Sequence, residues 1–272
     1  MLKLIALNFA LASATFVSLT DHRVTYTLCK PLPYGGSRLV VVAVRSSETC
    51  ANGPTVIIKC DTEGVERESE LLRSFESTRY IYVDTVTRSD SPDVCLVMRH
   101  LGASLEQFRD SRVSQIWTWP TVASIGLILV NAVEEFHSRG FAHSDLHSGN
   151  VLFQSPGDIS RITPIDVGSM VRLDEDPKRG PMDCILDDLK QIIVSLRFLV
   201  DGDRQFFAAK RFDFRSMSTA AIAGAPEPYA EALVYLYSIK SMEEIDYERI
   251  KHLLRAIIRT GDREFAGNAI LW

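Results

Sequence analysis

The chain has no basic excess. Its formal net charge is −5 over 272 residues, so a phosphate-backbone or nucleic-acid partner is not expected. It has no internal repeat and no low-complexity tract. Gly, Ser and Pro are scattered rather than blocked, which excludes a long flexible linker. It has no CxxC pair. The cysteines Cys29, Cys50, Cys60, Cys95 and Cys184 are widely spaced and odd in number, so a zinc ribbon or redox motif is not expected. They read as reduced, mostly buried thiols. A convincing membrane span is also missing. The apolar segment MLKLIALNFALASATFVSL at residues 1–19 is too short for one and is broken by Asn8.

That segment has a second property. One lysine, an apolar run and then Ala12-Ser13-Ala14 have the layout of a secretory signal peptide. The other reading is an extra strand or helix packed on the first lobe. Residues 1–20 are therefore set apart as a leader or N-terminal extension. The protein is expected to be secreted in the first case and cytoplasmic in the second.

What is present divides near residues 98–103. RVTYTLC, SRLVVVAVR and PTVIIKC, within 23–60, are rich in Val, Thr and Ile and are separated by turn residues, a strand pattern. TEGVERESELLRSF (62–75) turns helical, and YIYVDTV and DVCLVMRHL return to strand. TVASIGLILVNAVEEFHSRG carries Val122, Ile125, Leu129, Val133 and Phe136 at helical spacing, with Gly140 as its C-cap. ILDDLKQIIVSLRFLV, EPYAEALVYLYSIK and DYERIKHLLRAIIRTG supply further helices. The expected fold is α+β and bilobal. A small β-rich N-lobe with one helix spans 21–98, and a larger helical C-lobe spans 99–272.

Chemistry-bearing residues follow in a fixed order. Lys59 ends an apolar strand and needs an anionic partner, since an unpaired buried ammonium is costly. Glu68, or its neighbours Glu66 and Glu70, can supply one from the next helix. HSDLHSGN then brings Asp145 and Asn150, and ITPIDVGS brings Asp166. Phosphoryl transfer from a nucleotide needs a cation on the phosphates, oxygens to hold magnesium, and a carboxylate for the acceptor hydroxyl. These residues are that set. A metal-hydrolase cluster of His143, His147 and Asp145 with Glu134 and Glu135 is the competing chemistry. Gly149 and the strand-like VLF argue for a loop instead, and no separate third-ligand motif stands out.

The order of lysine strand, glutamate helix, HxDxxxxN loop and IDxG resembles the protein-kinase-like superfamily. CLVMRHLGASLEQF and the late stretch PYAEALVYLYSIKSMEEIDYERIKHLLRAIIR are similar to the casein-kinase-one branch. The likeness spans roughly residues 23–260. HxDLHxGN also looks like the aminoglycoside phosphotransferase type. The resemblance implies ATP and Mg2+ as cofactors. Lys59 would contact the phosphates and be braced by Glu68. Asp145 would be the catalytic base. Asn150 and Asp166 would bind magnesium, and His147 would reach the γ-phosphate. Val97, Met98 and Arg99, running on to Leu101, would form the hinge that holds adenine. Gly35 and Gly36 stand where the phosphate-covering loop is expected. The acceptor would be a protein hydroxyl or a small-molecule hydroxyl.

The sequence departs from that family in several places. PYGGSRLVV lacks GxGxxG, and a plain β-turn fits it equally. Ser144 replaces the arginine that receives an activation-loop phosphate. The magnesium motif reads DVG. The stretch after Asp166 is short and has no APE-like motif. These departures support a rival reading as a pseudokinase scaffold. His143 is expected to pack the loop, and Asp187 or Asp188 to brace it.

Overall fold

The computed structural model describes residues 15–32, 39–60, 64–89, 91, 93–111, 117–155, 158–175, 179–201 and 224–265, the last five as backbone. The chain divides into two units. The first is Met1–His100 with Asp166–Gly168; the second is Leu101–Ile165 with Ser169–Trp272.

The first unit is a closed antiparallel barrel. Its strands are β1 (Thr15–Ser18), β2 (Thr25–Pro31), β3 (Leu39–Arg45), β4 (Thr55–Cys60), β5 (Tyr82–Arg88) and β6 (Val94–Arg99), in the order β1-β2-β3-β4-β6-β5. The helix α1 (Val65–Ser74) follows β4. β3 is a run of β-branched residues, and Val40 to Val44 are all buried, as a strand at the centre of a sheet requires. Phe16, Tyr26, Val41, Ala43, Ile58, Val86 and Val97 fill the core.

β1 corrects the expected boundary. Phe16 lies opposite Tyr26 on one side and Arg88 on the other, and its side chain is fully buried. The strand pairs with both β2 and β5, so it satisfies backbone groups that would otherwise form open sheet edges. The lobe therefore begins by Thr15 rather than at residue 21.

The cysteines give a second correction. Cys60 and Cys95 lie directly opposite on β4 and β6 and form a disulfide, with Cα atoms 4.2 Å apart. Cys29 on β2 is bonded to Cys50 in the turn between β3 and β4. Cys184 is in neither disulfide, and it is buried. Wide spacing along the chain misled the reading, because strand register brings distant positions together. Loops of this length stabilise a fold by about 3 kcal/mol per bridge in the chain-entropy account.

The second unit is mainly helical. It contains α2 (Leu105–Ser111), α3 (Trp119–Ser138), α4 (Pro181–Asp201), α5 (Glu227–Ser238) and α6 (Tyr247–Phe265). Two short antiparallel pairs accompany them. β7 (Phe141–Ala142) pairs with β10 (Val171–Arg172), and β8 (Val151–Phe153) with β9 (Ile162–Pro164). α3 begins at a Thr118 cap that accepts the Thr121 N–H. It ends at Gly140, whose φ of 80° is the left-handed conformation expected there. Mid-helix, Gly126 lets α4 approach: a Cβ there would lie 2.8 Å from Leu196 Cδ1. Among the described residues no helix is long and apolar enough to cross a membrane.

Candidate functional site

The residues singled out in the sequence gather into two clusters, one in each unit. In the first unit, Lys59 is the penultimate residue of β4, and its backbone is flanked by Val40 and Leu96. Its Nζ donates to Glu68 Oε1 at 2.9 Å and to Asp166 Oδ1 at 2.8 Å, and lies 2.8 Å from Glu68 Oε2. Lys59 and Glu68 are 5% and 4% exposed, whereas Glu66 and Glu70 face solvent. Glu68 is thus the one of the three glutamates that meets the lysine.

Burial pulls the Lys59 ammonium down. The charges of Glu68 and Asp166 outweigh burial, and the net shift is upward. With the folded value above the unfolded one, the pairing is fully present at neutral pH. It is lost only as alkaline pH rises through the folded value.

Asp166 has a φ of 62°, a left-handed backbone that aspartate tolerates better than most residues. Two residues on, Gly168 makes room for Glu68. A Cβ there would stand 3.0 Å from Glu68 Oε2 and 3.2 Å from Cδ. Because Lys59 holds Glu68, the carboxylate cannot simply swing aside. Gly168→Ala is expected to destabilise the protein by about 1 kcal/mol through this crowding. Thermal unfolding checks it, and in a Glu68→Ala background the loss should vanish. An equal loss in both backgrounds would locate the clash elsewhere.

The second cluster lies in the loop from Phe141 to Asn150. Asn150 donates its Nδ2 to the Asp145 carbonyl at 2.9 Å and to Asp145 Oδ2 at 3.2 Å. The Asp145 side chain is 57% exposed. His147 Nδ1 accepts the Gly149 N–H at 3.1 Å, and its Nε2 lies 4.0 Å from Asp145 Oδ2. Gly149 is needed for this turn, since a Cβ would come within 2.7 Å of the His147 ring.

The loop is fixed from beneath. Asp188 on α4 is fully buried. Its carboxylate accepts the His143 N–H at 2.6 Å and the Ser144 N–H at 2.8 Å. Of the two candidate aspartates, Asp188 is therefore the brace, while Asp187 pairs with Arg179 at 3.0 Å. Ser144 is held at a φ of 65°, a strained backbone for serine. His143 is fully buried and donates from Nε2 to the Ile165 carbonyl at 2.9 Å, the packing role read from the sequence. The Ile165 N–H in turn donates to the Asn150 carbonyl at 2.8 Å. Ile165 is the residue before Asp166.

The residues read as the hinge begin on β6. Val97 is a core residue of the barrel, fully buried. Met98 pairs with Ile57 on one side and Tyr82 on the other, and the Arg99 N–H donates to the Ile81 carbonyl. As a central strand, β6 has neighbours on both sides, and the chain leaves it only at His100. Gly35 and Gly36 lie outside the described residues. No group of three or more His, Cys, Asp or Glu side chains suited to a metal ion forms among the described residues. The hydrolase reading therefore has no ligand set there. Sequence reasoning missed His137, Tyr247 and Arg179. His137 and Tyr247 meet across helices and Arg179 precedes one, pairing with Asp187, so no local motif marks them.

In the first unit a buried lysine is paired with two carboxylates, and in the second a loop presents an exposed aspartate. Known proteins resemble the chain in sequence and in fold. A casein kinase 1-like protein, HD16, from Oryza sativa subsp. japonica is 25% identical over 199 residues, or 60% of this chain. The chain spans only 28% of that relative's length. A solved structure of vaccinia related kinase 3 superposes with a TM-score of 0.64 at 14% identity. That match covers 91% of this chain and 90% of the other, a likeness of fold. The ABC1 atypical kinase-like domain matches residues 51–191, more than half of the 272 residues, and the chain belongs to that family.

Proposed function

We propose that the protein is an ATP- and magnesium-dependent phosphotransferase, a divergent Ser/Thr protein kinase with a reduced segment after Asp166. The observation that carries the reading is the Lys59 ammonium, buried and held between Glu68 and Asp166 at 2.8–2.9 Å. A lysine kept charged in a buried site is suited to an anion such as a nucleotide phosphate.

The donor set fits the implied cofactors. Carboxylate and amide oxygens are the ligands a hard cation takes, with phosphate oxygens completing its shell. Bound magnesium-ATP supplies a transferable phosphoryl group whose charge the ion partly neutralises. Lys59 would hold the phosphates, with Glu68 keeping Lys59 aimed. Asp166 and Asn150 would offer oxygens to the metal, and the Asn150 Nδ2 contact orients Asp145. Asp145 takes the proton from the acceptor hydroxyl, and His147 stands beside it as a further phosphate contact. The test is phosphate transfer from magnesium-ATP to a panel of protein and small-molecule acceptors, with Asp145→Asn as the comparison.

A second reading is a scaffold that keeps the fold without transfer. It is favoured by the short stretch between Asp166 and α4, which begins at Pro181. The same stretch suits a small-molecule hydroxyl as acceptor. Absence of transfer from the native protein to any acceptor would select the scaffold.

We also propose that the protein works in an oxidising compartment, as a secreted protein would. Two disulfides in one lobe support this, because such bonds persist outside reducing cytoplasm. Alkylating the denatured, unreduced native protein is expected to label Cys184 alone. Labelling at Cys29, Cys50, Cys60 and Cys95 as well would overturn it.

A further inference from the structure

Cys60 follows Lys59 in the chain, and its disulfide partner Cys95 precedes Leu96, which lies opposite Lys59 on β6. Cys60 is also the last residue of β4 and lies opposite Leu39, the first residue of β3. Lys59 therefore sits beside the terminal row of this ladder. Terminal rows open first, because they are supported from one side only. A lysine placed there is well fixed only if the row beyond it stays closed.

Successive side chains of a strand leave opposite faces. Ile58 and Cys60 belong to the barrel core, together with Cys95 and Val97. Lys59 leaves the other face, where its ammonium meets Glu68 and Asp166. The carboxylates thus hold the tip of Lys59, while the bond between Cys60 and Cys95 holds its backbone against β6. A buried ion pair stabilises only while its geometry is good, since both charges have left water. Opening of the terminal row would admit water to this 5% exposed lysine and loosen the pairing.

The other disulfide provides the contrast. Its sequence separation is 21 against 35, so the two bonds should contribute about equally to stability. Yet Cys29 lies on β2, which does not pair with β4. Cys50 lies in the turn before β4, at the opposite end of that strand from Lys59. A purely structural role would make the two bonds equivalent; a role in fixing Lys59 would not.

We propose that Cys60 and Cys95 are positioning residues for Lys59, and that their bond makes nucleotide binding depend on an oxidising environment. The nucleotide part of this proposal rests on the phosphotransferase reading; the part concerning Lys59 does not.

The experiment uses the full chain and two double variants, Cys60→Ala with Cys95→Ala and Cys29→Ala with Cys50→Ala, at a temperature where both are folded. Cys60→Val with Cys95→Ala keeps the filled volume nearly constant and serves if the first pair does not fold. Acetic anhydride labelling with peptide mass spectrometry reads Lys59 directly, because the pairing that keeps the ammonium charged also keeps it unreactive. Loss of the Cys60–Cys95 bond should raise Lys59 labelling about tenfold and weaken magnesium-ATP binding about tenfold. Loss of the Cys29–Cys50 bond should change either by less than about twofold, although both variants melt earlier. In turnover the first variant should raise KM for ATP with kcat nearly kept. Equal Lys59 labelling in the two variants would overturn the proposal. So would native ATP affinity in a variant whose Lys59 labelling has risen, or alkylation of Cys60 and Cys95 in the unreduced native protein. If the native protein does not bind magnesium-ATP, the phosphotransferase reading fails, and the labelling still decides whether the bond fixes Lys59.

Discussion

Replacing Asp145 by asparagine is expected to lower phosphate transfer by a factor on the order of a thousand while leaving the fold intact. The two halves of that expectation have separate causes. The side chain is 57% exposed, and the Asn150 amide donates to its carboxylate at 3.2 Å. An exposed substitution of nearly equal shape changes stability by about 0.5 kcal/mol or less. Activity is a different matter, because an amide cannot take a proton from a hydroxyl at neutral pH. Thermal unfolding and transfer of labelled phosphate, measured on the same preparation, check both halves. Equal transfer by native and substituted protein would remove Asp145 from the chemistry and leave positioning by Lys59 and Asp166 as its source.

Asp188→Ala is expected to produce the largest loss of stability, about 3–5 kcal/mol. The carboxylate accepts from the backbone of His143 and Ser144 and from His137 Nε2, all in a fully buried setting. Alanine leaves those donors facing a cavity without water or acceptor. The melting temperature of the second unit should fall by about 10 °C, given the unfolding entropy of a domain this size. Asp188→Asn provides the finer comparison. It keeps the shape and one acceptor oxygen, but it turns an NH2 toward a donor, so a smaller loss is expected. A drop below about 1 kcal/mol in the alanine variant would mean that the loop is held from elsewhere. The strained Ser144 makes that outcome hard to reconcile with the geometry, since a left-handed serine relaxes unless bonds restrain it.

Asp145 and Asp188 show what kinds of information a sequence carries. Asp145 was legible because it sits in a local pattern, HSDLHSGN, whose residue types make sense only together. Lys59 was legible for a similar reason, as a cation ending a run of β-branched residues. The helices α3 and α4 were legible from periodicity, which needs only neighbours three and four positions away. Asp188 could not be separated from Asp187. Both lie in the first half of α4, and the choice depends on which face of the helix turns inward.

The same limit applies to Glu68. Three glutamates within five residues look alike on paper, and the rotation of α1 against β4 selects the one that is 4% exposed. The disulfides were misread for a related reason. Cys60 and Cys95 are 35 residues apart in the chain but opposite in register, and composition holds no record of register. β1 was left undecided between a leader and a strand. Thr15–Ser18 gain their meaning only from β2 and β5, which complete a closed barrel around Phe16.

By itself the sequence determined the class of the fold, the order of the chemical groups and the loop that carries Asp145. Those depend on residue type and on spacing within a few turns of chain. The tertiary structure alone decided which of several equivalent side chains is used, which thiols are joined, and how His137 and Tyr247 reach Asp188. His137 and Tyr247 are 110 residues apart. Contacts at that separation are set by how helices pack, a property of the assembled core rather than of any segment in it.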